Sequence, residues 1–200
     1  SILCGMLIKI DNNVDRAAKI INHMRQFARK SDMELEKVQI NTVLENAFEM
    51  FSQQLKIRAI DVVMDIDRKI PPIYSEPGRL EQVFINLLLN ARDAIEERWK
   101  IDPGARGPKA ITLSTFQKGD RVVCKICDTG TGIPDAVAEK IFEPFFTTKN
   151  VGEGTGLGLS ISYGIIKDCG GDIEAIPNRN HGTCFIVRFP VSANEKNTIN

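Results

Sequence analysis

The sequence predicts an α+β fold: a two-layer α/β sandwich with a mixed, mostly antiparallel sheet, preceded by one long N-terminal helix. Three observations carry that prediction. Segments 110–117 and 121–128 read as an antiparallel pair around Lys118-Gly119-Asp120. Segments 172–177 and 183–191 form a second pair around Asn178-Arg179-Asn180-His181-Gly182. Residues 76–99 carry a broad apolar helical face, so the helices are segregated from the strands rather than alternating as βαβ units.

The elements follow in order. Leu3, Leu7, Ile10, Val14, Ala17, Ile21, Met24 and Ala28 repeat at spacings of four and three. That heptad seam wants a partner helix, and no second long heptad segment exists in the chain. The seam is therefore expected to belong to a helical hairpin completed upstream or by a second copy. A charged linker leads to a short strand at 38–40. A helix over 42–56 follows, with Val43, Leu44, Ala47, Met50 and Phe51 on its apolar face. Residues 60–66 read as a strand, and Ile70-Pro71-Pro72-Ile73 as a break. The helix over 76–99 buries Leu80, Val83, Phe84, Leu87, Leu88, Ala91 and Ile95. A glycine-rich stretch, 128–158, holds one short helix near 135–141, and a last helix runs over 156–169. The expected domains are 1–35 as a helix of a dimerisation hairpin, 36–191 as the globular domain, and 192–200 as a disordered tail.

Composition narrows the function. The chain has 200 residues, 42% hydrophobic and 26% charged. Lys+Arg and Asp+Glu both number 26. A zero net charge disfavours nucleic acid or a membrane surface as partner. No apolar run reaches the ~20 residues of a membrane span, which points to a cytoplasmic location unless upstream segments supply an anchor. The five cysteines are scattered and odd in number, which suits a reducing compartment. Cys124 and Cys127 form a C-x-x-C, but on a strand they face opposite sides, and core packing is the expected role.

Four segments carry chemistry. Within the helix at 76–99, Gln82, Asn86, Asn90 and Asp93 make one polar stripe on an otherwise apolar surface. Buried amides cost free energy unless partnered, so this stripe wants a polar ligand. Its hard oxygens suit Mg²⁺; an internal network tying the helix to a loop is the alternative. Asp128-Thr129-Gly130-Thr131-Gly132-Ile133-Pro134 ends a strand in a carboxylate and a glycine turn, which suits an exocyclic amine. Phe142-Glu143-Pro144-Phe145-Phe146-Thr147-Thr148-Lys149 offers anchoring aromatics and a cation. Gly152, Gly154, Gly156 and Gly158 alternate with Glu153, Thr155 and Leu157 ahead of an apolar helix. Such a loop and helix start can take an anion, yet the spacing matches neither a P-loop nor a Rossmann fingerprint.

In this order the four segments resemble the N, G1, F and G2 boxes of the histidine-kinase ATP-binding domain. That domain has the Bergerat fold, shared with DNA gyrase, heat-shock chaperones and mismatch-repair ATPases. Gly182 and Thr183 resemble its final glycine element, and residues 16–29 resemble the second helix of the kinase dimerisation domain. The resemblance implies ATP and Mg²⁺ as ligands. It places Asn86, Asn90 and Asp93 at the Mg²⁺–triphosphate end and has Asp128 accept from the adenine amino group. Gly130, Gly132 and Ile133 would wall the base, with Thr183 behind it. Thr147, Thr148 and Lys149 would face the lid, and Gly152, Gly154, Thr155, Gly156, Leu157 and Gly158 would cover the phosphates.

Two departures matter. Many such kinases carry a basic residue where Asp93 stands, and Asn-Ala-Arg-Asp-Ala resembles the nitrogen-regulatory type. The family's phosphoacceptor histidine precedes an acidic residue on the first dimerisation helix. His23 and His181 do not fit, so the phosphoacceptor is expected outside this chain and no catalytic residue is assigned within it. The expected function is γ-phosphoryl transfer from ATP to that histidine and relay to a response-regulator receiver domain, with homodimerisation through the N-terminal helix. A clamp-type ATPase, a non-catalytic nucleotide sensor and an anti-sigma serine kinase are the rivals. Gyrase-type ATPases place a general-base Glu where Asn86 stands, which disfavours hydrolysis.

Overall fold

A computed structural model describes residues 35–149, 154–179 and 181–191. The heptad seam, His23, Gly152 and residues 192–200 lie outside the described residues. Strand β1 (Glu36–Val38) precedes helix α1 (Ile40–Ile57), then β2 (Asp61–Ile66) and β3 (Ile73–Ser75). Helix α2 (Pro77–Ile101), β4 (Ala110–Lys118) and β5 (Arg121–Asp128) follow, then a 3₁₀ turn (Asp135–Val137). Helix α3 (Gly158–Asp168), β6 (Asp172–Pro177) and β7 (Thr183–Pro190) close the domain.

The main sheet has the order β2-β4-β5-β7-β6. Only β2–β4 is parallel. The predicted α+β class and mostly antiparallel sheet are what forms. All three helices lie on one face, with α2 packed between α1 and α3. The seven apolar residues expected on α2 are all at most 1% exposed. They fill the space above Ile111, Leu113, Val122 and Ile126 of β4 and β5. Glu76 starts α2 by accepting from the Gly78 and Arg79 N–H groups, and Pro77 fits the first turn. Among the described residues no helix is long and apolar enough to cross a membrane.

Several boundaries differ from expectation. The first strand lies at Glu36–Val38 and α1 begins at Ile40, because Asn41 anchors the helix rather than ending a strand. Its Nδ2 donates to Asp67 O at 2.9 Å and its Oδ1 accepts from Thr115 Oγ1 at 2.7 Å. Met50 is 64% exposed, not on the apolar face. Val43, seven residues earlier on the same face, is buried, so that face is covered at the start of α1 and left open at Met50. The break at Ile70–Ile73 is followed by the short strand β3, which pairs antiparallel with β1. Three residues are too few to show alternation in sequence. The expected helix near 135–141 is only the 3₁₀ turn.

Cys124 is buried in the core. Cys127 faces the other side of the sheet and forms a disulfide with Cys184, its register partner on β7. The reading of five unpaired cysteines is corrected at this pair. Cross-strand register, which no spacing in the sequence reveals, brings them together.

Candidate functional site

The site is built along one face of α2. Asn86 donates from Nδ2 to Gly158 O at 3.2 Å and to Ser162 Oγ at 3.3 Å, tying α2 to the start of α3. This is the helix-to-loop network that sequence offered as the alternative. Asn86 Oδ1 and the whole Asn90 carboxamide carry no hydrogen bond among the described residues. Asp93, one turn beyond Asn90, is held by two cations. Its Oδ1 accepts from Arg92 Nε at 2.8 Å, and its Oδ2 lies 2.5 Å from Lys149 Nζ. Ala94 accepts at its carbonyl from Thr131 N–H at 3.1 Å. A Cβ on Gly130 would lie 2.5 Å from the Ala94 backbone, so the glycine turn can sit against α2 only without a side chain.

Asp128 ends β5 and is 2% exposed. Its Oδ1 accepts from Gly130 N–H at 2.8 Å and from Thr183 N–H at 3.2 Å. Burial pushes its carboxyl up to about 6 from an ordinary 3.8; those two N–H bonds pull the other way without overcoming it. A buried carboxylate with few donors is poised to accept from a ligand amine. Gly182, at φ +88°, makes this contact possible: a Cβ there would lie 2.1 Å from Asp128 O. Asn178 completes the frame. Its Nδ2 donates to Asp128 O at 2.7 Å, and its N–H donates to Gly182 O at 3.0 Å. Gly132 and Ile133, with Gly182 and Thr183, line a cavity of about 410 Å³ beside this strand end.

The remaining loop residues converge on the other side. Thr147 Oγ1 accepts from Lys149 N–H at 3.2 Å. Gly154 runs close to Thr147, where a Cβ would lie 2.8 Å from Oγ1. Gly156, at φ +67°, packs on the Phe145 backbone, where a Cβ would lie 2.4 Å from its carbonyl carbon. Thr155 Oγ1 accepts from Leu157 N–H at 3.4 Å. Helix α3 starts at Gly158 with no side-chain cap and no acidic residue in its first turn, so its leading N–H groups face the site unpaired by side chains. Thr148 is exposed on the same loop.

The structure brings Gly158, Lys149, Gly130 and Thr131 onto α2 between Asn86 and Ala94, about 12 Å of helix, while Gly132, Ile133 and Thr183 gather at the cavity beside the Asp128 strand end and Gly156 packs on Phe145. Sequence reading passed over Ser162, Ala94 and Asn178 as positioning residues. Ala94 carried no signal, since its part is played by its backbone. Asn178 could have been found as the polar residue opening the turn before Gly182.

Comparison with known proteins agrees with this geometry. Residues 75–193, more than half of the chain, match the family described as histidine kinase-, DNA gyrase B-, and HSP90-like ATPase. The sensor kinase CckA of Brucella abortus is 39% identical over 195 residues, 95% of this chain and 20% of its own length. The two-component sensor PprA of Pseudomonas aeruginosa is 35% identical, over 94% of this chain and 20% of its own. The sensor histidine kinase ZraS of Escherichia coli is 31% identical, over 91% of this chain and 37% of its own. The chain therefore spans a fifth to two fifths of these relatives. The nucleotide-free catalytic domain of histidine kinase ThkA superposes with a TM-score of 0.67 at 30% identity, covering 80% of this chain and 99% of that one. ThkA in complex with response regulator TrrA gives 0.71 at 28% identity, covering 92% and 49%. The chain belongs to the histidine kinase-, DNA gyrase B- and HSP90-like ATPase family, and within it to the ATP-binding catalytic domains of sensor histidine kinases.

Proposed function

We propose that this chain binds ATP–Mg²⁺ for a two-component kinase of the nitrogen-regulatory type, whose γ-phosphoryl group goes to a histidine outside the chain. The observation that carries this reading is the convergence of Gly130, Lys149 and Gly158 on the Asn86–Ala94 stretch of α2, with Asp128 bonded to Gly130. Asp128 would accept from the adenine amino group, with Gly130, Gly132 and Ile133 against the base and Thr183 behind it. Asn90 and the free Oδ1 of Asn86 fit Mg²⁺, which takes few protein oxygens and keeps its waters. The ion, when bound, neutralises phosphate charge. Thr147, Thr148, Lys149, Gly154, Thr155, Leu157 and the α3 start would meet the phosphates, together with Gly152.

These residues position and neutralise rather than react. An amide at Asn86, busy with Gly158 and Ser162, offers no base to activate water, which favours transfer over a hydrolysing clamp. The partners we infer are a response-regulator receiver domain, supported by the ThkA–TrrA likeness, and a second copy of the chain through the heptad helix. A zero net charge gives neither nucleic acid nor a membrane surface an overall electrostatic hold on this chain.

Calorimetric titration with Mg·ATP, comparing wild type with Asp128→Asn, tests the reading. Loss of a charge-assisted buried bond should weaken binding by about tenfold or more. Equal affinity would remove the adenine assignment.

A further inference from the structure

Asp93 stands where the resemblance leads one to expect a cation, and the structure supplies one from elsewhere. Lys149 reaches across from its loop, and its Nζ sits 2.5 Å from Asp93 Oδ2. Arg92 takes the other oxygen, from Nε at 2.8 Å and Nη2 at 2.5 Å. Both carboxylate oxygens thus face a cation. With Glu96 and Arg58 included, three cations face two carboxylates, which leaves the cluster one net positive charge one turn from Asn90. Arg92 is further steadied by Gln54 Oε1 at 3.4 Å and by Glu96 at 3.9 Å.

The lysine is fixed at its backbone as well. Its N–H donates to Thr147 Oγ1, and a Cβ on Gly154 would come within 3.5 Å of its stem. An ammonium carries three donors, so one spent on Asp93 leaves two for a ligand. A lysine on a loop loses rotamer freedom on being held. Asp93 imposes that cost before any ligand arrives. We propose that Asp93 is a positioning residue: it holds the Lys149 ammonium beside Asn90, so that the loop rather than α2 supplies the cation for the terminal phosphates of the nucleotide. The proposal rests on the nucleotide reading above.

The test uses the 200-residue chain, titrated calorimetrically with Mg·ATP and separately with AMP, which lacks the terminal phosphates. Asp93→Asn and Lys149→Met should each cut the ATP-over-AMP affinity ratio about tenfold while AMP affinity stays constant. That constancy also reports an intact fold. Asp93→Glu, which keeps the carboxylate, should stay within about threefold of wild type. The double exchange of Asp93→Lys with Lys149→Asp should recover the ratio, because the ammonium then stands on the helix. An unchanged ratio in Asp93→Asn overturns the proposal. So does a higher ratio, which would make Asp93 a competitor for the lysine instead of its support. Wild type binding neither nucleotide would overturn the nucleotide reading itself, and this proposal with it.

Discussion

Replacing Asp128 by asparagine should make the protein more stable at neutral pH while weakening its nucleotide site. The carboxyl is 2% exposed and is pushed up to about 6, against 3.8 in an open chain. The folded state therefore holds this proton more tightly than the unfolded state does. Stability falls as pH rises from 3.8 through about 6, and above that window the buried charge carries its full cost. Each pH unit of that window is worth about 1.4 kcal/mol, so the cost at pH 7 is about 3 kcal/mol. An asparagine never ionises, and its carbonyl oxygen can accept the same two bonds from Gly130 and Thr183. Urea unfolding of both proteins from pH 3.5 to 8 measures the effect. The difference between them cancels every other titrating group. It should rise by about 3 kcal/mol in favour of asparagine between pH 4 and 6.5 and then level off. A difference that is flat, or that shrinks with rising pH, would refute the buried-charge argument.

Two further outcomes follow from the same strand ends. Gly182→Ala should destabilise by at least about 3 kcal/mol, since a left-handed φ alone costs about 1–2 and the added Cβ would lie 2.1 Å from Asp128 O; a urea midpoint equal to wild type would contradict it. Reducing the Cys127–Cys184 bridge, which closes a separation of 57 residues, should lower stability by about 2–4 kcal/mol, and Cys184→Ser should show no response to reductant in the same unfolding assay.

The core was readable because one helix dominates it. All seven apolar positions expected on α2 are buried, for 3.6-residue periodicity survives any packing arrangement. Met50 misled because its face of α1 is covered at Val43 but not one heptad later, and which level of a face is covered is set by tertiary packing. The strand β3 was missed because its hydrogen bonds go to β1, thirty-odd residues away, rather than to a neighbour in sequence. Among the site residues, Asn86, Asn90 and Asp128 stood out as polar groups in apolar surroundings. Ala94, Ser162 and Asn178 did not, since each acts through a backbone group or an ordinary small side chain.

Sequence by itself determined the ingredients: an apolar helix broken by two carboxamides, an aspartate ending a strand, and a run of glycines. Those features are local, set by which residues stand three, four or two apart. Tertiary structure decided how they are used. It gave Asn86 to α3, set Lys149 on Asp93, joined Cys127 to Cys184 and closed Gly182 over Asp128. Each of these contacts spans more than fifty residues of chain, and only the sheet register and the stacking of α2 and α3 bring such distant groups within bonding range.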